Sequence, residues 1–221
     1  MDDVKVILRN YARSKKAVRG IDTFADAQNY AEKLGKALAD ALGDSFEDVA
    51  EDELAGALRT VLKRAYDDSA VGAATAQHRQ NQKARLGIGT LRAEFDPADA
   101  DKVAEELAGK LAAPGLVENL IKQKTIGAVD ETIRKNAEAR EEMGLEVSIV
   151  RKYSDVGLRA GTKYSEDCAW CLERCGEWDN YKDAYDAGCF ERHPGCLCEI
   201  DYHVNKTHTV SSGYGSGWVD V

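Results

Sequence analysis

Apolar positions fall at helical steps through the first two thirds of the chain and at alternating positions afterwards. Between Ile21 and Leu42 they recur at Ala27, Ala31, Leu34, Leu38, Ala41 and Leu42, steps of three and four that line one face of a helix. Gly43 stands where such a helix would stop. A second stripe begins near Ser45, with Leu54, Leu58, Val61, Leu62 and Ala65 in register, and the alanine-rich stretch beyond can carry it to Arg85. Gly87, Gly89 and Thr90 interrupt the pattern. Asp96-Pro97 then reads as an N-cap followed by proline at the first helical position, where its missing N–H has no intrahelical partner to lose. Val103, Leu107 and Leu111 extend a third helix from Pro97 to about Ala112. Pro114-Gly115 breaks it, and Val117, Leu120, Ile121, Val129 and Ile133 mark a fourth helix that ends near Gly144.

After Gly144 the period changes from helical to alternating. Leu145, Val147 and Ile149, with Val150 and Tyr153, read as one strand, and residues Leu197 to Val204 as another. No repeat of solenoid period is present. The expected fold class is α+β: a mainly helical N-terminal region over 1–144, a small mixed module over 145–205, and a glycine- and serine-rich tail over 206–221 read as a frayed terminus.

Charge modifies this picture at two places. Lys5, Arg9, Arg13, Lys15, Lys16 and Arg19 lie in a stretch from Val4 to Arg19 that has no acid, so the helical region opens with a basic arm. A second acid-free stretch runs from Arg79 to Arg92. Both are the electrostatic candidates for nucleic acid, and both have the composition of a solvated helix face. The chain as a whole is acidic, with 30 Lys plus Arg against 39 Asp plus Glu. No run of about 18 apolar residues lacks a charge, so no membrane contact is expected. The start, MDDVKVILRN, has no apolar stretch of signal-peptide length, from which we expect a reducing compartment.

All 6 cysteines lie between Cys168 and Cys198. In a reducing compartment such a cluster points to metal rather than to disulfides. Cys168 and Cys171 have the two-residue spacing that lets thiolates of one tight turn take adjacent corners of a zinc tetrahedron. His193-Pro194-Gly195-Cys196-Leu197-Cys198 adds a turn and two cysteines that share a face of the strand that follows. Cys168, Cys171, His193, Cys196 and Cys198 therefore compete for four places around one zinc ion in a zinc-ribbon-like module, with the metal supplying folding energy that so small a module lacks. His193 is read equally as a fourth ligand or as a group beside the cluster. A redox CxxC is the weaker reading, because a polar stretch rather than a core strand precedes Cys168. Cys175 and Cys189 lack partners at ligand spacing and read as small buried hydrophobes.

Few functions survive this composition. From Cys168 to Asp201 there are eight acids against Arg174, Lys182 and Arg192, so the module repels phosphate on average. No His-x-Glu precedes the CxxC, which excludes the zinc deaminase pattern. Walker, His-Glu-x-x-His and nucleophile-elbow motifs are absent, no catalytic residue is assigned, and no small-molecule substrate is expected. The one enzyme reading kept is a nuclease in which His193, Asp201, His203 and His208 recruit a water-activating cation.

The string Cys168-Ala-Trp-Cys171, with Arg174, Gly176 and a tyrosine-bearing loop, followed by Phe190-Glu-Arg-His193-Pro-Gly-Cys196-Leu-Cys198 and Glu199-Ile-Asp-Tyr202, resembles the C-terminal signature of the Mu F-like phage minor head proteins, also called head-morphogenesis proteins. The likeness runs from Val147 to Tyr202, and a divergent helical N-terminal region also fits the family. Members commonly carry an arginine between the last two cysteines, where this chain has Leu197. The resemblance implies a non-enzymatic virion protein that associates with the portal protein and other head components during procapsid assembly in the host cytoplasm, stays in the virion head, and assists DNA packaging or delivery. Some relatives carry an effector domain beyond the signature; the short remainder here leads us to expect a stand-alone minor head protein. The alternative expectation is a zinc-dependent nuclease or nucleic-acid-binding module.

Overall fold

The computed structural model describes residues 5, 9, 11, 12, 20–43, 51–108, 114–154, 168–193 and 195–204. Four helices come first: α1 (Phe24–Gly43), α2 (Glu51–Ala84), α3 (Pro97–Ala108) and α4 (Pro114–Glu142). They are followed by β1 (Val147–Lys152), the single turn α5 (Ala169–Leu172), β2 (Gly176–Trp178), α6 (Tyr181–Asp186) and β3 (Glu199–Val204). The protein is thus a mainly helical α+β fold. Within the described residues, each helix starts and ends near the positions its apolar stripe and punctuation indicated. Gly144 has φ +77° just past α4, the left-handed conformation that glycine adopts without strain at a helix C-terminus. Asp96 accepts from the Ala98 N–H at 2.9 Å, the cap foreseen before Pro97.

α1 packs against both α2 and α4. Small residues permit the close approach: at Gly35 a Cβ would sit 2.9 Å from the Lys122 Cα of α4. Tyr11 is 2% exposed in the core that these helices share, and its hydroxyl donates to Asp68 at 2.9 Å, so helical residues of the basic stretch are anchored on α2. Lys5 and Arg9 are helical and exposed; Arg13, Lys15, Lys16 and Arg19 lie outside the described residues, as do Ser45, Leu111 and the tail.

The sheet has the order β2-β1-β3, both pairings antiparallel, with Ile149 opposite Tyr202 and Arg151 opposite Ile200. Its inner face presents Val147, Ile149, Ile200 and Tyr202, which pack with Phe24 and Ala27 of α1 and Ile126, Val129 and Ile133 of α4. Sheet and helices therefore share a core. Between α2 and α4 the extended stretch before α3 is held by side chains rather than by a neighbouring strand. Thr132 accepts from the Ala93 N–H, Asn136 bonds both polar groups of Leu91, and Arg140 donates to the Gly89 carbonyl. These three lie four residues apart on α4, so one polar stripe satisfies backbone groups of the stretch, including the N–H of the buried Ala93. Among the described residues no helix is long and apolar enough to cross a membrane.

Candidate metal centre

Cys168 sits at the N-cap of α5 and Cys171 in its single turn, closed by the Leu172 N–H to the Cys168 carbonyl at 2.9 Å. That turn brings both thiols to the same side. The second pair arrives from a turn in which the Cys196 N–H donates to the His193 carbonyl at 3.0 Å, with Gly195 at φ +82°. Glycine suits this position, since it takes the positive φ without strain. Cys198 then leads directly into β3.

All five predicted donors converge. Cys168, Cys171 and His193 place their donor atoms within 4.8 Å of one another, as do Cys171, Cys196 and Cys198. Cys171 belongs to both groups. The His193 Nε2 lies 3.0 Å from the Cys171 Sγ and 3.4 Å from the Cys168 Sγ, and the Cys171 and Cys196 sulfurs are 3.7 Å apart. A tetrahedral zinc ion with Zn–S bonds of about 2.3 Å and Zn–N bonds of about 2.0 Å sets S···S edges of about 3.8 Å and N···S edges of about 3.5 Å. The 3.4 and 3.7 Å separations are close to those edges while the 3.0 Å one is about 0.5 Å shorter, and all six cysteines are free thiols. The donor set fits a soft, tetrahedral divalent ion and does not fit the oxygen-seeking ions.

Burial shapes the chemistry of these thiols. Cys171, Cys196 and Cys198 are 2%, 3% and 1% exposed. Burial, reinforced by Cys196, pushes the Cys171 thiol up to about 12, so without metal it stays protonated at neutral pH. The hydrogen bond to Cys198 and then burial raise Cys196, whereas the same bond lowers Cys198. A bound ion would have to displace such protons. Cys189 is fully buried in the shared core with its thiol raised by burial to about 12, as its reading as a small hydrophobe requires. Cys175 is only half-buried and packs against the donor cluster.

The surroundings of the cluster were not legible from motif spacing. Trp170, between the first two cysteines, meets the His193 ring edge to face at 5.1 Å, and the Arg174 guanidinium lies 4.0 Å from its centroid. The Tyr153 hydroxyl accepts from the Cys168 N–H at 3.2 Å. From the helices, Gln28 donates to the carbonyls of Leu197 and Cys198 at 3.2 and 3.1 Å, and Gln123 to that of Arg192 at 3.0 Å. Asp130 of α4 pairs with Arg192 through both carboxylate oxygens, the two side chains being 4% and 3% exposed. α1 and α4 thus hold the second donor loop in place.

The remaining candidates lie elsewhere. Asp201 and His203 alternate along β3, with Asp201 Oδ2 3.2 Å from His203 Nε2, and among the described residues no third donor completes a metal group with them. His193 has gone to the thiol cluster, and His208 lies outside the described residues. The Asp201 hydrogen bond raises the His203 pKa from its ordinary 6.5; burial pushes Asp201 up, but the bond and charge of His203 more than offset it and lower it overall. A histidine raised on folding contributes stability in full below its unfolded value, and that contribution is lost as pH climbs through the raised folded value. We therefore expect the His203 imidazole to titrate above 6.5 by NMR and Asp201→Asn to return it toward that value. Titration unchanged by the substitution would contradict the pairing.

Comparison with known proteins adds no relative to this description: no family model matches the chain, and neither a curated protein nor a solved structure matches it at a significant level.

Proposed function

We propose that this chain is a phage minor head protein of the Mu F-like kind, a non-enzymatic component of the virion head that carries one zinc ion in a zinc-ribbon-like C-terminal module. The observation that carries the reading is the convergence of the donors of both motifs at one place: Cys168, Cys171, His193, Cys196 and Cys198 form one cluster of soft donors, with Cys171, Cys196 and Cys198 buried and Cys168 and His193 partly buried. Their thiolate-rich character favours zinc, whose tetrahedral preference and lack of redox chemistry suit a structural staple. Residues around the signature serve the same end, since Gln28, Gln123 and Asp130 tie its second half to the helices. Such a protein acts by presenting a fixed surface. In this reading it docks on the portal during procapsid assembly in the host cytoplasm and remains in the head, with Lys5, Arg9, Arg13, Lys15, Lys16 and Arg19 as the charges that meet packaged DNA.

Co-expression with the portal protein that such a phage would supply, followed by affinity capture, tests this function. We expect the full chain and a chain in which Lys5, Arg9, Arg13, Lys15, Lys16 and Arg19 are replaced by Gln, with Tyr11 kept in the core, both to retain portal, and DNA affinity, steeply salt-dependent in the full chain, to fall in the neutralised chain. Absence of portal from both captures would remove the function. Metal-dependent DNA cleavage abolished by His203→Ala would instead favour the zinc-dependent nuclease reading.

A further inference from the structure

Arg151 occupies a core position. On β1 it shares the inward face with Val147 and Ile149 and pairs opposite Ile200, yet it carries a full charge and is 2% exposed. Its Nη1 donates to the carbonyls of Cys189 and Glu191, 2.7 Å each, and its Nη2 lies 3.5 Å from the Cys196 Sγ. The guanidinium also lies 5.7 Å from the centroid of the Trp170 ring. Among the described residues no carboxylate stands within ion-pair distance of it. Arg192 reaches the same sulfur at 3.7 Å, but its charge is answered by Asp130 in the buried pair. Two guanidinium groups therefore converge on one cysteine sulfur, and among the described residues only that of Arg192 has an acid.

A buried cation is tolerated where a counter-charge and hydrogen bonds replace water. Carbonyl dipoles supply part of this for Arg151. Among the described residues the full counter-charge comes from cysteine, once a metal ion has displaced the thiol protons. A divalent ion held by three thiolates and a neutral imidazole carries one excess negative charge, and one held by four thiolates carries two. We propose that Arg151 is the buried counter-cation of the metal centre, a positioning residue that never touches the ion but offsets the negative charge its thiolates bring in excess. This deepens the metal reading above and rests on it. It also accounts for an arginine on the inner face of a central strand, where the alternation calls for an apolar side chain.

The test uses the full chain and zinc alone. Zinc affinity is measured by competition with a chromophoric chelator for the wild type, Arg151→Lys and Arg151→Met, with circular dichroism at saturating zinc to confirm the fold. Lysine keeps the charge but cannot make the forked bonds to Cys189 and Glu191, so it separates charge from geometry. We expect Arg151→Met to weaken zinc by about tenfold or more and Arg151→Lys to stay within about threefold of wild type. Should Arg151→Met not fold, Arg151→Gln, which keeps donors without charge, is expected to show the same loss. Equal affinities in all chains, equal losses in lysine and neutral variants, or failure of every variant to fold at saturating zinc would each overturn the proposal by making the role purely structural. A wild-type chain that binds no zinc would instead remove the metal reading itself, and this inference with it.

Discussion

Cys171→Ser is expected to abolish tight zinc binding, whereas Cys168→Ser and Cys198→Ser, taken singly, are expected only to weaken it. Five donors would compete for the four places of a tetrahedral ion, so a spare donor can replace most single losses. Cys171 alone belongs to both donor groups, with its sulfur 3.0 Å from the His193 Nε2 and 3.7 Å from the Cys196 sulfur. Structural zinc binding is worth about 10–16 kcal/mol in small metal-dependent domains, far more than the roughly 1 kcal/mol of an ordinary hydrogen bond. The loops that carry the donors should therefore lose amide protection when Cys171 is replaced. The sheet should keep more, because Ile149, Ile200 and Tyr202 are packed on Phe24, Ile126 and Val129 whether or not metal is bound. Zinc titration and hydrogen exchange on the three variants read these effects separately. Equal affinity in Cys171→Ser and wild type would contradict the shared-donor geometry.

The second large effect is expected at Asp130. Its carboxylate meets the Arg192 guanidinium with both side chains almost wholly out of water. Asp130→Ala leaves a buried cation, at a cost of about 3–5 kcal/mol for a broken buried pair. The low end of that range, about 3 kcal/mol, is expected here, because the Cys196 carbonyl and sulfur remain beside Arg192. Removing both partners as Asp130→Leu with Arg192→Met should cost much less, since no charge is then stranded. Urea unfolding of zinc-saturated protein measures both. A single variant no less stable than the double would show that the pair is not the restraint on the donor loop.

The helices were legible because burial repeats every three to four residues: Leu34, Leu38 and Leu42 on α1 and Val117, Leu120 and Ile121 on α4 are all buried. The donors were legible because ligand spacing within one turn is a local property, as at Cys168 and Cys171. What supports them was not. Gln28 lies 169 and 170 positions from the carbonyls it bonds, and Asp130 lies 62 from Arg192. Such pairings leave no trace in periodicity or local composition. Arg151 was hidden for a different reason: alternation puts it on the face of Val147 and Ile149, but nothing local in the sequence shows the carbonyls of Cys189 and Glu191 and the Cys196 sulfur that receive its charge. The three polar residues of α4 that hold residues 89–93 likewise interrupt its apolar stripe and carry no signal of the backbone groups they bond.

Native mass spectrometry of the chain purified under reducing conditions, with and without a zinc chelator, tests the central claim most directly. One zinc ion per chain is predicted, with its removal by chelator loosening the two donor loops and its return restoring them. A chain isolated without bound metal that takes up none when zinc is supplied, and whose donor loops are equally protected throughout, would contradict it.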